Sequence, residues 1–288
     1  MKFTTLISVD DLAANLDIPG LIVCDCRHDL ADTESGRRAY AVSHVPGARF
    51  VHLDEDLSGP KTGKNGRHPL PDPEVFRRRL GALGMDNTRQ IVAYDASGGC
   101  YAARLWWMLR WLGHDRAAVL DGGWDAWVRA GRPVTAAPPV IKPAAFAARV
   151  TPRLAVDADY VAAHLNRDEF SVLDARSAER FRGENETLDP VGGHIPGAIN
   201  RFFKNNLDAS GRFKPADELR REFSGLLGAR RPENILHQCG SGVTACHNLL
   251  AMEIAGFSGS RLYPGSWSEW CSDPKRPVAR QENGNVPG

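Results

Sequence analysis

Apolar positions along this chain come in two rhythms. Short hydrophobic runs such as Leu21-Ile22-Val23-Cys24 and Ile235-Leu236 are bounded by polar or glycine-rich turns and predict buried strands. Between them, stretches such as residues 104–111 and 248–254 carry helical periodicity. Ser8-Val9-Asp10-Asp11-Leu12 predicts a capped helix start. The alternation of strand and helix implies βαβ units, an α/β fold with a parallel sheet covered by helices on both faces. In such sheets ligands gather at the carboxyl ends of the strands.

One stretch brings chemistry to such an end. Ile235-Leu236-His237-Gln238-Cys239-Gly240-Ser241-Gly242-Val243-Thr244-Ala245 predicts a strand, a tight loop and the start of a helix, with a thiol at the hinge. Backbone N–H groups of a Gly-rich loop entering a helix converge on one point and favour an anion there. A sulfur at that point is expected as a nucleophilic thiolate. Gly240 and Gly242 let the loop close around it without a Cβ clash. Two other uses of such a loop lack a necessary residue. A dinucleotide fingerprint needs an acid about 20 positions on, and the stretch around Arg261-Leu262-Tyr263 has none. A cysteine phosphatase needs an arginine six residues after the thiol, where this chain has Ala245.

The chain also repeats itself. Asp174-Ala175-Arg176 returns to Asp25-Cys26-Arg27 after 149 positions, and His194-Ile195-Pro196-Gly197-Ala198 to His44-Val45-Pro46-Gly47-Ala48 after 150. Pro264-Gly265-Ser266-Trp267 returns to Asp121-Gly122-Gly123-Trp124 after 143. Three landmarks in one order predict two copies of one unit. We expect a first domain over residues 1–135, an Ala- and Pro-rich linker over 136–152 and a second domain over 153–288. The shorter last offset points to an extra loop in the first copy at residues 60–67. Projecting Cys239 back by 143 reaches Ala96, beside Asp95, so the first copy is expected to have the frame without the nucleophile.

Composition narrows the partners. The chain has 288 residues, is 42% hydrophobic and 25% charged, and carries a formal net charge of +1. That balance offers no footprint for nucleic acid or an acidic membrane. No apolar run reaches the 18 or so residues of a membrane span, and Met1 to Asp10 lacks a signal-peptide pattern, so a cytoplasmic protein is expected. The six cysteines are expected as free thiols. Cys24 and Cys26 suit core packing, and no pair has metal-site spacing. Cys246, about two helical turns beyond Cys239, could be a resolving thiol or a buried helix residue, and His237 a tuner of Cys239 or a core residue.

A doubled unit with H-[VI]-P-G-A in each half, a D-G-G-W or P-G-S-W turn, and Cys-Gly-Ser-Gly-Val-Thr in the second half resembles the tandem-domain rhodanese sulfurtransferases. The resemblance implies a catalytic second domain in which Cys239 takes a sulfane sulfur as a persulfide and hands it to a thiol or cyanide. A thioredoxin-like protein is one such thiol, and no metal or other cofactor is implied. The loop is similar to the branch using 3-mercaptopyruvate; the thiosulfate branch carries basic residues where this chain has Gly240 and Ser241. A sulfur carrier that turns over no free donor is the alternative from another class. By the same resemblance Arg180 binds the donor, Gly240, Gly242, Val243 and Thr244 form its cradle, Arg176 is structural, and Ser241 handles protons with His44 and Asp32. One departure stands out: Thr187-Leu188-Asp189-Pro190-Val191 lacks the second arginine usual before His194.

Overall fold

The computed structural model describes residues 2–165 and 167–280; the last eight residues of the expected second domain, 281–288, lie outside them. The chain forms two compact units. Unit 1 comprises Met1–Pro60, Leu70–Pro152 and Leu207–Pro215, and unit 2 comprises Lys61–Pro69, Arg153–Asn206 and Ala216–Gly288. Two short segments are thus exchanged relative to chain order.

Unit 1 runs β1 (Leu6–Ile7), α1 (Val9–Asn15), β2 (Leu21–Asp25), α2 (Ser35–Val42), β3 (Arg49–Phe50), α3 (Pro73–Ala82), β4 (Gln90–Tyr94), α4 (Cys100–Trp111), β5 (Ala117–Leu120) and α5 (Gly123–Arg129). Its five strands are all parallel, in the order β1-β5-β4-β2-β3. Unit 2 runs α6 (Ala158–His164), β6 (Ser171–Asp174), α7 (Ala178–Arg182), β7 (Ile199–Asn200), α8 (Ala216–Leu227), β8 (Ile235–Gln238), α9 (Ala245–Ile254), β9 (Arg261–Leu262) and α10 (Ser266–Trp270). Its four strands are parallel, in the order β7-β6-β8-β9.

Local chemistry sets the element ends. Ser8 Oγ accepts the Asp11 N–H at the start of α1, and Asp72 accepts from Glu74 and Val75 ahead of α3, whose first residue is Pro73. The strands β5, β6 and β8 are buried at every position, which explains why none of them alternates between apolar and polar residues, and β5 is apolar throughout. Among the described residues no helix is long and apolar enough to cross a membrane.

The three repeated landmarks meet in space within each unit. In unit 1 the Arg27 guanidinium donates to Asp25 (Nη2 to Oδ2, 2.6 Å) and to the carbonyl of Ser43, the residue before His44, while lying 4.2 Å from the centre of the Trp124 ring. In unit 2 Arg176 does the same with Asp174 (2.7 Å), the carbonyl of Gly193 and Trp267. One buried arginine therefore ties a strand end, the H-[VI]-P-G-A segment and the tryptophan turn together, and its hydrogen bonds satisfy the buried carboxylate. Arg176 is structural, as the resemblance implied.

Candidate active site

β8 ends at Gln238, and the chain turns through six residues before α9 begins at Ala245. Cys239 opens that turn and is only 2% exposed. The Gly242 N–H donates to its Sγ at 3.1 Å. Gly242 has φ +77°, and a Cβ there would stand 2.4 Å from the Pro264 carbonyl oxygen, so no other residue fits without moving that segment. The start of α10 fastens the loop from the other side. The N–H groups of Trp267 and Ser268 donate to the carbonyls of Cys239 and Gly240, each at 3.0 Å. Ser266 Oγ accepts the Cys239 N–H (3.1 Å) and donates to the Tyr263 carbonyl (2.9 Å). To do so Ser266 holds φ +54°, the only positive φ at a non-glycine among the described residues. Val243 is buried, and Thr244 precedes α9 without capping it through its side chain.

The segment Lys61–Pro69 brings two side chains to this loop. His68 Nδ1 lies 2.7 Å from Ser241 Oγ, and both residues are buried. Arg67 is anchored by its own N–H on Ser268 Oγ (3.0 Å) and by its Nη1 on Asp189. Arg180 makes Nε and Nη2 bonds to Glu186 at 2.9 to 3.0 Å, and its Nη2 reaches Asp189 at 3.4 Å. Glu186 also accepts the N–H groups of Leu188 and Asp189, which shapes the loop. Burial pushes Asp189 above the ordinary carboxylate range against the pull of Arg67. Glu186 is also pushed up by burial, yet the Leu188 N–H and Arg180 bring it below that range.

The first copy resolves the same loop differently. Trp124 N–H donates to the carbonyl of Asp95 as Trp267 N–H does to that of Cys239, so the counterpart of the cysteine is Asp95 itself, one residue from the position that the 143 offset gives. The Asp95 carboxylate accepts four N–H groups of its own loop, from Ser97 (2.7 Å), Gly99 (2.9 Å), Tyr101 (2.8 Å) and Ala102 (2.9 Å). Burial pushes this carboxyl up, and those four N–H groups work against it. The anion cradle of unit 1 is filled by the chain's own side chain.

The Rhodanese-like domain model matches the chain twice, over residues 8–130 and 157–273. The chain belongs to the rhodanese family. A protein of Pseudomonas aeruginosa named "Probable 3-mercaptopyruvate sulfurtransferase" is 47% identical over 97% of this chain and 99% of its own length. The bovine "Thiosulfate sulfurtransferase" is 36% identical over 88% of this chain and 85% of its own. Among solved structures, SseA from Escherichia coli, described as one of the 3-mercaptopyruvate sulfotransferases, superposes with a TM-score of 0.81 at 31% identity, covering 92% of this chain and 99% of its own. These findings agree with the tandem rhodanese architecture expected from the repeat.

The remaining residues expected at the site fall in two groups. His44 belongs to unit 1 and is fully buried, its ring stacked on Tyr40 at 4.0 Å, with Nδ1 2.8 Å from the Tyr40 carbonyl and Nε2 3.1 Å from that of Ala137. His194 is set the same way in unit 2, stacked on Phe181 with Nδ1 on the Phe181 carbonyl. Asp32 is exposed in unit 1 and pairs with Arg38. The histidine that meets Ser241 is His68, on the segment Lys61–Pro69; the matching segment of the second copy, Leu207–Pro215, has Phe213 in that place after the shared Gly-Arg pair.

Of the other thiols, burial pushes Cys24 up to about 12 and Cys271 to about 11, and raises Cys26, so all three stay protonated at neutral pH. The Cys246 thiol is buried on α9 and donates to the Gly242 carbonyl at 3.4 Å. Burial drives His237 down to about 3, and among the described residues neither ring nitrogen has a hydrogen-bond partner. Its unfolded counterpart, near 6.5, binds a proton that the folded ring refuses. Stability is thus complete above about pH 6.5 and is lost as pH falls from there toward 3, by a few kcal/mol in the limit. We expect His237→Leu to flatten this acid slope. Urea midpoints at pH 7.5 and pH 5 should differ less in the variant than in the parent, and an unchanged difference would show that His237 is not the group responsible.

Proposed function

We propose that this chain is a 3-mercaptopyruvate sulfurtransferase acting by a ping-pong mechanism through a persulfide on Cys239. The observation that carries the donor is the charge at the site. Two guanidinium groups flank the loop, yet Glu186 and Asp189 already balance them, and no basic residue follows the thiol. A planar monocarboxylate suits unused N–H groups of such forks, whereas a dianion would need excess positive charge that the loop lacks.

In the first half-reaction the Cys239 thiolate attacks the sulfur of 3-mercaptopyruvate. The new S–S bond forms as the C–S bond breaks, and that electron pair leaves on carbon as the enolate of pyruvate, which takes up a proton. The Gly242 N–H stabilises the sulfur during its attack. Ser241 Oγ and the His68 ring form the relay through which protons move, so we assign to His68 the part that the resemblance gave to His44. In the second half-reaction a thiol or cyanide takes the outer sulfur and frees the thiolate. A small thiol or a thioredoxin-like protein is the acceptor in the cell. Arg180 binds the donor's carboxylate, and the amides of Gly240, Gly242, Val243 and Thr244 form the bowl that holds the loaded sulfur. Neither Asp32 nor a metal or cofactor has a part.

Chemistry resides in the second copy (153–288), completed by the segment Lys61–Pro69 of unit 2, and the first copy is a frame. Six cysteines that form no disulfide among the described residues support a reducing compartment, the cytoplasm. Comparing kcat/KM for 3-mercaptopyruvate and thiosulfate, with cyanide as acceptor, tests the donor. We expect 3-mercaptopyruvate to be preferred; a tenfold preference for thiosulfate, about 1.4 kcal/mol, would overturn it.

A further inference from the structure

Two guanidinium groups at this site each keep one terminal nitrogen out of their ion pairs, and both nitrogens face the same point. A Cβ built on Gly240 would lie 2.6 Å from Arg67 Nη2 and 3.5 Å from Arg180 Nη1. Arg67 spends Nη1 on Asp189, and Arg180 spends Nε and Nη2 on Glu186 and Asp189. Among the described residues neither Arg67 Nη2 nor Arg180 Nη1 has a hydrogen-bond partner. Both side chains remain partly open to solvent, at 27% and 21%. The point they share is one peptide beyond the thiol residue, and the Arg67 guanidinium can approach it because residue 240 has no side chain.

We propose that Arg67 is the second guanidinium that binds the donor's carboxylate, and that the Arg67–Asp189 pair stands in for the arginine that residues 187–191 lack. This rests on 3-mercaptopyruvate being the donor. A carboxylate over Gly240 takes one oxygen to each free nitrogen, so its two partners come from segments far apart in the chain but joined through Asp189. That carboxylate holds Arg67 and Arg180 at once, and it is itself only 3% exposed. Its burial makes the arrangement rigid: losing either arginine leaves a buried charge short of a partner. Gly240 serves the same arrangement, because a methyl group there would push the Arg67 guanidinium out of its place.

The test uses the full chain and two readouts. Arg67→Ala should raise KM for 3-mercaptopyruvate by at least about tenfold while kcat at saturation stays within about threefold. Pyruvate, which has the carboxylate but no sulfur to give, should protect Cys239 from iodoacetamide in the parent and fail to do so in the variant. Arg67→Ala combined with Asp189→Arg returns a guanidinium to the other side of the pair and should restore both readouts. A fall in kcat with KM and pyruvate protection unchanged would overturn the proposal, because Arg67 would then act only by holding His68. Failure of the double variant to recover either readout would also overturn it. If the parent itself fails to turn over 3-mercaptopyruvate, the donor is wrong. Protection by pyruvate in the parent and its loss in Arg67→Ala still decide whether Arg67 binds a carboxylate.

Discussion

Cys239→Ser is expected to abolish sulfur transfer while leaving the fold intact. A serine hydroxyl fits where the thiol stands and can still accept the Gly242 N–H, so the loop keeps its anchors on Trp267, Ser268 and Ser266. What is lost is the chemistry: an alcohol at neutral pH is a far poorer nucleophile than a thiolate and cannot store sulfur as a persulfide. Turnover with 3-mercaptopyruvate and cyanide should fall by at least about 10⁴-fold, or roughly 5.5 kcal/mol of transition-state stabilisation. The gain of about 32 Da, one sulfur atom, expected in the parent after incubation with donor should be absent in the variant. Unfolding free energies of parent and variant from urea titration should agree within about 1 kcal/mol. Retained turnover would remove the cysteine from the mechanism. A parent that gains the sulfur but turns over no free donor would instead be a carrier.

Much of this site is legible in the chain's own words, and the parts that are not have a common physical cause. The strand, thiol and glycine loop are local: residues 235–245 carry the apolar run, the hinge and the helix start in succession. The repeat is legible because one arginine in each unit must touch three segments, which constrains all three at once. Arg67 and His68 escape both signals. They precede the linker in sequence, yet Lys61–Pro69 packs in unit 2, so chain order assigns them to the wrong half. The repeat offers little help either, because the matching segment of the second copy, Leu207–Pro215, keeps the glycine and arginine as Gly211-Arg212 but has Phe213 where His68 stands. That one difference is the clue: where the copies depart from each other inside a repeated segment, as His68 does from Phe213, a unit acquires a side chain that its copy lacks. His44 drew attention for the opposite reason. It sits in a repeated motif, and repetition marks frame; its stacked, main-chain-bonded ring is matched by His194.

The missing second arginine follows from the same exchange. Asp189 stands in the loop where a cation is usual for the family, and a cation, Arg67, stands on the segment facing it. On the proposal above, the positive charge that residues 187–191 lack comes from Arg67 through its pair with Asp189, so reading either segment alone reports a loss.

The largest expected effect on stability belongs to the loop with no chemistry. Asp95→Ala removes a fully buried carboxylate and strands four N–H groups, those of Ser97, Gly99, Tyr101 and Ala102, in a space too enclosed for free access of water. Each stranded donor costs about 1–3 kcal/mol, but relaxation and water entry share the burden. We expect a net loss of about 3–5 kcal/mol from the stability of unit 1. Asp95→Asn tests the cause more sharply. It keeps the shape and one acceptor oxygen, yet turns an NH₂ group toward two N–H donors, so it should lose nearly as much as alanine despite being almost isosteric. Urea unfolding followed by hydrogen exchange at α4, whose first turn carries two of the four donors, reads the effect where it arises. If Asp95→Asn were as stable as the parent, shape rather than charge would hold this loop. The likeness between the two copies would then be one of outline only: a thiol in one and a carboxylate in the other would not be two ways of filling one anion cradle.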